Sequence, residues 1–130
     1  MTANAPSQLD DAVTQMVAKR TQAVVITGDL MYFSERVRLL ELLRPTRLPV
    51  GTALAEFALA GGLLSFGADI AHTLRHVASY VDKILKGARP ADLPMEQPTK
   101  FELVLNLVTA RTLGITFPPS LRVRADLVIQ

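Results

Sequence analysis

At 130 residues and 14.2 kDa the chain suits one domain with a real hydrophobic core, and 49% hydrophobic against 20% charged residues excludes a disordered chain. The net charge of +2 comes from 14 basic residues scattered among 12 acidic ones, so no concentrated basic face and no nucleic-acid partner are expected. With no cysteine, a disulfide framework and a thiolate metal site are both excluded.

Residues 1–7 are small and polar. Residues 1–11 lack a basic start followed by an apolar core, so no signal peptide is expected and a chain complete as read would be cytoplasmic. From Gln8 to about Arg20, Leu9, Ala12, Val13, Met16 and Val17 recur at helical spacing, with Ser7 as the expected cap. Ala23-Val24-Val25-Ile26-Thr27 is a continuous β-branched run and predicts a strand buried on both faces, as in a parallel sheet. A helix is predicted over 33–43 with Ser34 as cap and Pro45 as stop.

Residues 48–52 predict a second strand, 53–59 a short helix, and 63–66 a third strand with backbone corners at Gly61-Gly62 and at Gly67. The apolar window 48–68 is interrupted by Glu56 and four glycines, so no membrane span and no direct membrane insertion are expected. Ile70, Leu74, Val77, Val81, Ile84 and Leu85 mark the longest helix, which Gly87 caps and Pro90 prevents from continuing. Residues 101–107 predict a strand, 109–113 a helix closed by Gly114, and Pro118-Pro119 a last helical turn. Strands alternating with helices imply an α/β fold with a mainly parallel sheet flanked by helices.

Few residues carry chemistry. His72 and His76 share one side of the long helix, but position 73 is Thr73, the glutamate of a zincin motif is missing, and a solvated polar face is the stronger reading. Ser65 has Gly67 two residues after it but Leu63 two before, so the nucleophile-elbow pattern fails. Gly61-Gly62 lacks dinucleotide and P-loop spacing. No cofactor, metal or catalytic group is therefore expected. Gly28-Asp29 follows a buried strand, where open α/β sheets bind small ligands, and an Asp there pairs with a ligand amine or hydroxyl, or else simply turns the chain into a helix. Thr52 and Glu56 follow the next strand with the same two readings.

Residues 56–67 (EFALAGGLLSFG), 80–94 (YVDKILKGARPADLP) and 96–106 (EQPTKFELVLN) resemble the carboxyl-terminal part of an ABC transporter substrate-binding protein. The likeness continues through Leu113-Gly114-Ile115, Pro118-Pro119-Ser120-Leu121, Arg124-Ala125-Asp126 and Val128-Ile129. Phe66 departs from the tyrosine usual in that family.

The resemblance implies a type I periplasmic-binding-protein (Rossmann-like) lobe, non-catalytic recognition of a small solute such as an amino acid, an ABC permease as partner, and a periplasmic location. A ligand-sensing regulatory domain on the same scaffold is the alternative. Residues 8–60 would form most of the second lobe of a two-lobed clamp, and 61–130 the crossover and carboxyl-terminal segment, with most of the first lobe absent. Ligand contacts are carried over to Gly28, Asp29, Thr52, Glu56 and Phe66. The helix following the third strand would be left with an uncovered apolar face, which predicts a homodimer.

Overall fold

The computed structural model describes residues 3–130. It contains two compact units, one formed by the chain up to Gly67 together with Glu102–Gln130, the other by Ala68–Phe101.

In the first unit a 3-10 turn, Pro6–Gln8, leads into α1 (Leu9–Ala18). Ser7 lies inside that turn and is not the cap; Gln8 occupies the cap position, and no side chain caps α1. Asp10 and Asp11 stand in the first turn of α1, where negative charge complements the helix dipole.

The sheet has five strands in sequence order. Strands β1 (Val24–Ile26), β2 (Val50–Thr52) and β3 (Leu64–Ala68) are parallel, with Ile26 opposite Thr52 and Thr52 opposite Ser65. Strands β4 (Phe101–Asn106) and β5 (Leu127–Ile129) form another parallel pair. Between β3 and β4 the Asn106 amide donates to the Leu63 carbonyl and the Asp69 amide to the Lys100 carbonyl. Residue numbers rise on one strand as they fall on the other, so this pair is antiparallel. The fold is α/β with a mainly parallel sheet, as the alternation of elements predicts.

On one face of the sheet, α1, α3 (Arg36–Leu43) and α4 (Ala55–Leu59) press Leu9, Val13, Leu39, Leu43 and Phe57 against Val24, Ile26 and Val50. A second cluster joins Leu63 and Leu105 to Ala110 of α6 (Leu107–Leu113), to Phe117, and to Leu121 of α7 (Pro119–Val123). Burial of these side chains, at roughly 1.5–3 kcal/mol each, supplies the main folding drive.

Four local expectations are corrected. Strand β1 is not buried on both faces: Val24 and Ile26 are buried but Val25 is 79% exposed. A β-branched run is the same whether or not anything covers its second face. The segment 30–43 is two helices, α2 (Leu30–Ser34) and α3, because Glu35 adopts φ −90°, ψ 9° between them. Its cap is Asp29, whose carboxylate accepts from the Met31 amide at 2.8 Å; the Ser34 hydroxyl instead donates to the Met31 carbonyl. Gly67 is no corner but lies within β3, where a Cβ would collide with the Ala53 carbonyl. Gly61, by contrast, does turn the chain at φ +117°.

The second unit consists of α5 (Ile70–Leu85), a 3-10 turn at Pro90–Asp92 and an extended return. The Asp69 carboxylate caps α5 through the His72 amide at 2.9 Å and pairs with the Lys100 ammonium at 2.9 Å. The Lys100 hydrogen bond, followed by the His72 amide, holds this carboxyl below its ordinary range. The apolar stripe read from the sequence is present, and it is exposed: Ile70, Leu74, Val77, Val81, Ile84 and Leu85 all face outward.

Candidate functional site

The parallel register sets the carboxyl ends of β1, β2 and β3 side by side. A strand's carboxyl end in such a sheet presents the loops that follow it, and ligands bind there. The sequence-predicted residues sit on these ends. Gly28 and Asp29 follow β1, Thr52 closes β2, Glu56 stands in the first turn of α4, and Phe66 lies on β3.

Their environments differ. Gly28 is exposed, with open space where a Cβ would project. Asp29 is exposed too, with one carboxylate oxygen accepting from Met31. Thr52 is buried, and its hydroxyl oxygen accepts from the Leu54 amide at 3.2 Å. Glu56 is half-buried, beside the fully buried Phe57 and Ala58. Phe66 is 58% exposed. The arrangement brings together one carboxylate, one hydroxyl and one aromatic face along three adjacent strands, with Glu56 one helical turn into the segment after β2. No nucleophile–base pair is formed among these residues.

Ser65 stands directly opposite Thr52 and is only 1% exposed, with no hydrogen-bond partner for its hydroxyl among the described residues. A side chain so enclosed is closed to a substrate, which adds to the failure of the elbow pattern. Both histidines belong to α5, their rings 4.8 Å apart.

A concave region, which sequence reading missed, lies within the unit Ala68–Phe101. It is a hollow of about 660 Å³ between α5 and the extended return, walled by Val77, Pro94, Met95 and Pro98 with His72 and His76 at its side. The Tyr80 hydroxyl donates to the Pro94 carbonyl at 2.7 Å, and the His76 Nδ1 lies 3.3 Å from Glu96. Desolvation, then the neighbouring Glu96, raises the Tyr80 phenol above its ordinary range. Among the described residues no group of three His, Cys, Asp or Glu side chains could hold a metal.

An α/β unit with a mainly parallel sheet flanked by helices has the architecture of a periplasmic-binding-protein domain. The chain belongs to the ABC transporter substrate binding protein family, whose sequence model matches residues 1–129. Among solved structures it is similar to the ABC domain in complex with L-Trp from Streptococcus pneumoniae, at 26% identity and a TM-score of 0.93 over 99% of this chain and 43% of that one. It is also similar to a conserved domain protein from Vibrio cholerae O1 biovar El Tor, at 25% identity and a TM-score of 0.90 over 98% of this chain and 43% of that one. A ligand-free, open substrate binding protein with adhesive properties from Clostridium difficile, at 17% identity and a TM-score of 0.64 over 95% of this chain and 41% of that one, shares the fold. The chain thus spans less than half the length of each of these proteins. No curated protein matches it significantly.

Proposed function

We propose that this chain is a non-catalytic solute-recognition element of an ABC uptake system, with a small solute such as an amino acid as ligand and an ABC permease as partner. The single observation that carries the reading is the row of strand ends bearing Asp29, Thr52 and Phe66, on a lobe similar to one solved with L-Trp bound. Gly28 gives the backbone close access to the ligand, Asp29 pairs with its amine, Thr52 supplies a hydroxyl, Glu56 a second acceptor and Phe66 a stacking face. In this reading residues 8–60 form most of one lobe of a two-lobed clamp, and 61–130 the crossover and carboxyl-terminal segment. Family members work in the periplasm or outside the cell, and no helix among the described residues is long and apolar enough to cross a membrane.

A calorimetric screen of amino acids tests this. Because Asp29 also caps α2, Asp29→Ala would confound binding with the loss of a cap, about 1 kcal/mol. Asp29→Asn keeps an oxygen for the Met31 amide and removes the charge. The expected result is an apo melting temperature close to wild type and a Kd raised about tenfold, the loss of one charge-assisted contact. An unchanged Kd overturns the assignment of Asp29.

Self-association is part of the proposal. Val25 and the stripe of α5, in which Leu74 is 62% exposed, leave more apolar surface open than an isolated chain tolerates well. A second copy covers it, and light scattering after size exclusion at micromolar concentration shows a dimer. Leu74→Glu converts that dimer to monomer. A wild-type chain that elutes as a clean monomer refutes the idea.

A further inference from the structure

The first unit holds a hollow of about 460 Å³ at the end of the sheet opposite the strand ends described above. Val50, the first residue of β2, and Leu63, just before β3, line it, whereas Thr52 and Phe66 lie farther along those same strands. Its size falls within the roughly 300–1,000 Å³ typical of small-molecule sites. Its walls are apolar: Leu43, Val50 and Leu63 are buried, and Leu113 is half-buried.

The polar groups at this hollow are unevenly matched. The Asn106 amide is engaged on both sides, its Nδ2 donating to the Ala58 carbonyl and its Oδ1 accepting from the Thr109 amide. The Thr109 hydroxyl donates to the Gly61 carbonyl and the Thr112 hydroxyl to the Val108 carbonyl. What is left over is positive charge. The Arg47 guanidinium uses one nitrogen, Nη2, on the Thr112 carbonyl at 3.0 Å, and Arg44 forms no side-chain hydrogen bond or ion pair among the described residues. No described residue lining the hollow is acidic. Arg47 is also held in the left-handed region at φ 55°, a backbone conformation that costs a non-glycine residue energy. Solvated arginines on a convex surface need no ligand. Here two guanidinium groups, rich in donors, flank an apolar concavity.

We propose that this hollow binds an amphipathic carboxylate, with its apolar body against Leu43, Val50, Leu63 and Leu113 and its carboxylate against Arg44 and Arg47. A guanidinium pairs with a carboxylate through two parallel N–H bonds, and the apolar walls favour a ligand with a hydrocarbon body over a small hydrated anion. The site is separate from the row of strand ends, and neither depends on the other.

Titration of the labelled chain by NMR tests it, with 4-phenylbutyrate as probe and 4-phenylbutyramide and inorganic phosphate as comparisons. The expected result is saturable shifts at Val50, Leu63 and Leu113, with the amide and phosphate each binding at least about tenfold more weakly. Arg44→Gln lowers the affinity for 4-phenylbutyrate about tenfold; its side chain has no partner in the fold to lose. Asp29→Asn leaves that affinity unchanged, which separates this site from the one proposed for the solute. The proposal is overturned by equal binding of the amide or of phosphate, by an Arg44→Gln variant that binds as wild type, by shifts confined to Gly28 and Thr52, or by no saturation at millimolar ligand.

Discussion

Gly67→Ala lowers the melting temperature by roughly 10 °C or more, and with it removes the solute binding proposed for the strand ends. A Cβ at Gly67 would overlap the Ala53 carbonyl, with the Ala53 carbonyl carbon and Cα also too close. The obstacle is backbone, which cannot rotate aside as a side chain would. Overpacking of this kind costs typically 1–3 kcal/mol and occasionally more, and the upper end applies where backbone must move. In a domain of this size about 3 kcal/mol corresponds to roughly 10 °C. The segment that must move runs from Thr52 of β2 into α4, so it carries both Thr52 and Glu56. Stability and recognition therefore fail together. Gly28→Ala is the control: nothing lies within 4 Å of the added carbon, and its melting temperature stays near wild type. A Gly67→Ala chain that melts within a degree or two of wild type would show that β3 and the β2–α4 segment do not approach this closely in solution.

Much of the fold is legible in the sequence because its signals are local. Residues 23–27 and 48–52 announce strands by β-branched and apolar content, and the steps of three and four from Ile70 to Leu85 announce α5. The sheet ends that carry Asp29 and Thr52 follow from that alternation. What escapes the sequence depends on distant partners. The run Leu30-Met31-Tyr32-Phe33 has no helical period, yet it is α2, with Asp29 as its cap and the Tyr32 hydroxyl bonded to both the amide and the carbonyl of Ala3. Gly67 reads as a corner because glycine often marks one, whereas its role is set by Ala53, well before it in the chain. Val25 looks like its neighbours in the sequence and differs from them only in what covers it. The Arg44–Arg47 hollow has no local signature at all, since Arg47 finds Thr112 across 65 residues of chain.

Asn106 is a further case of a residue whose importance is set by distant contacts, and its replacement is the second large effect expected. It is 4% exposed. Its side chain closes two needs at once, donating to the Ala58 carbonyl at the end of α4 and accepting from the Thr109 amide as the cap of α6, each at 2.9 Å. Its own amide meets the Leu63 carbonyl, so one residue joins α4, the entry to β3 and the start of α6. Asn106→Leu fills similar volume but leaves a carbonyl and an amide without these partners. A lost cap costs about 1 kcal/mol and an orphaned buried acceptor about 1–3, so the variant should lose roughly 2–4 kcal/mol in denaturant unfolding. Asn106→Asp separates the two contributions. It keeps the acceptor for Thr109 but turns a carboxylate oxygen toward the Ala58 carbonyl, where only a protonated carboxyl can donate. Folding then favours the protonated acid and raises its pKa above the unfolded value. The folded state binds more protons than the unfolded one, so stability falls as pH rises through the acid range. The Asp variant should therefore recover part of its loss on going from neutral pH to about pH 4 relative to wild type, while the Leu variant should not. A Leu variant within 1 kcal/mol of wild type, or an Asp variant with the wild-type pH profile, would remove Asn106 from this role.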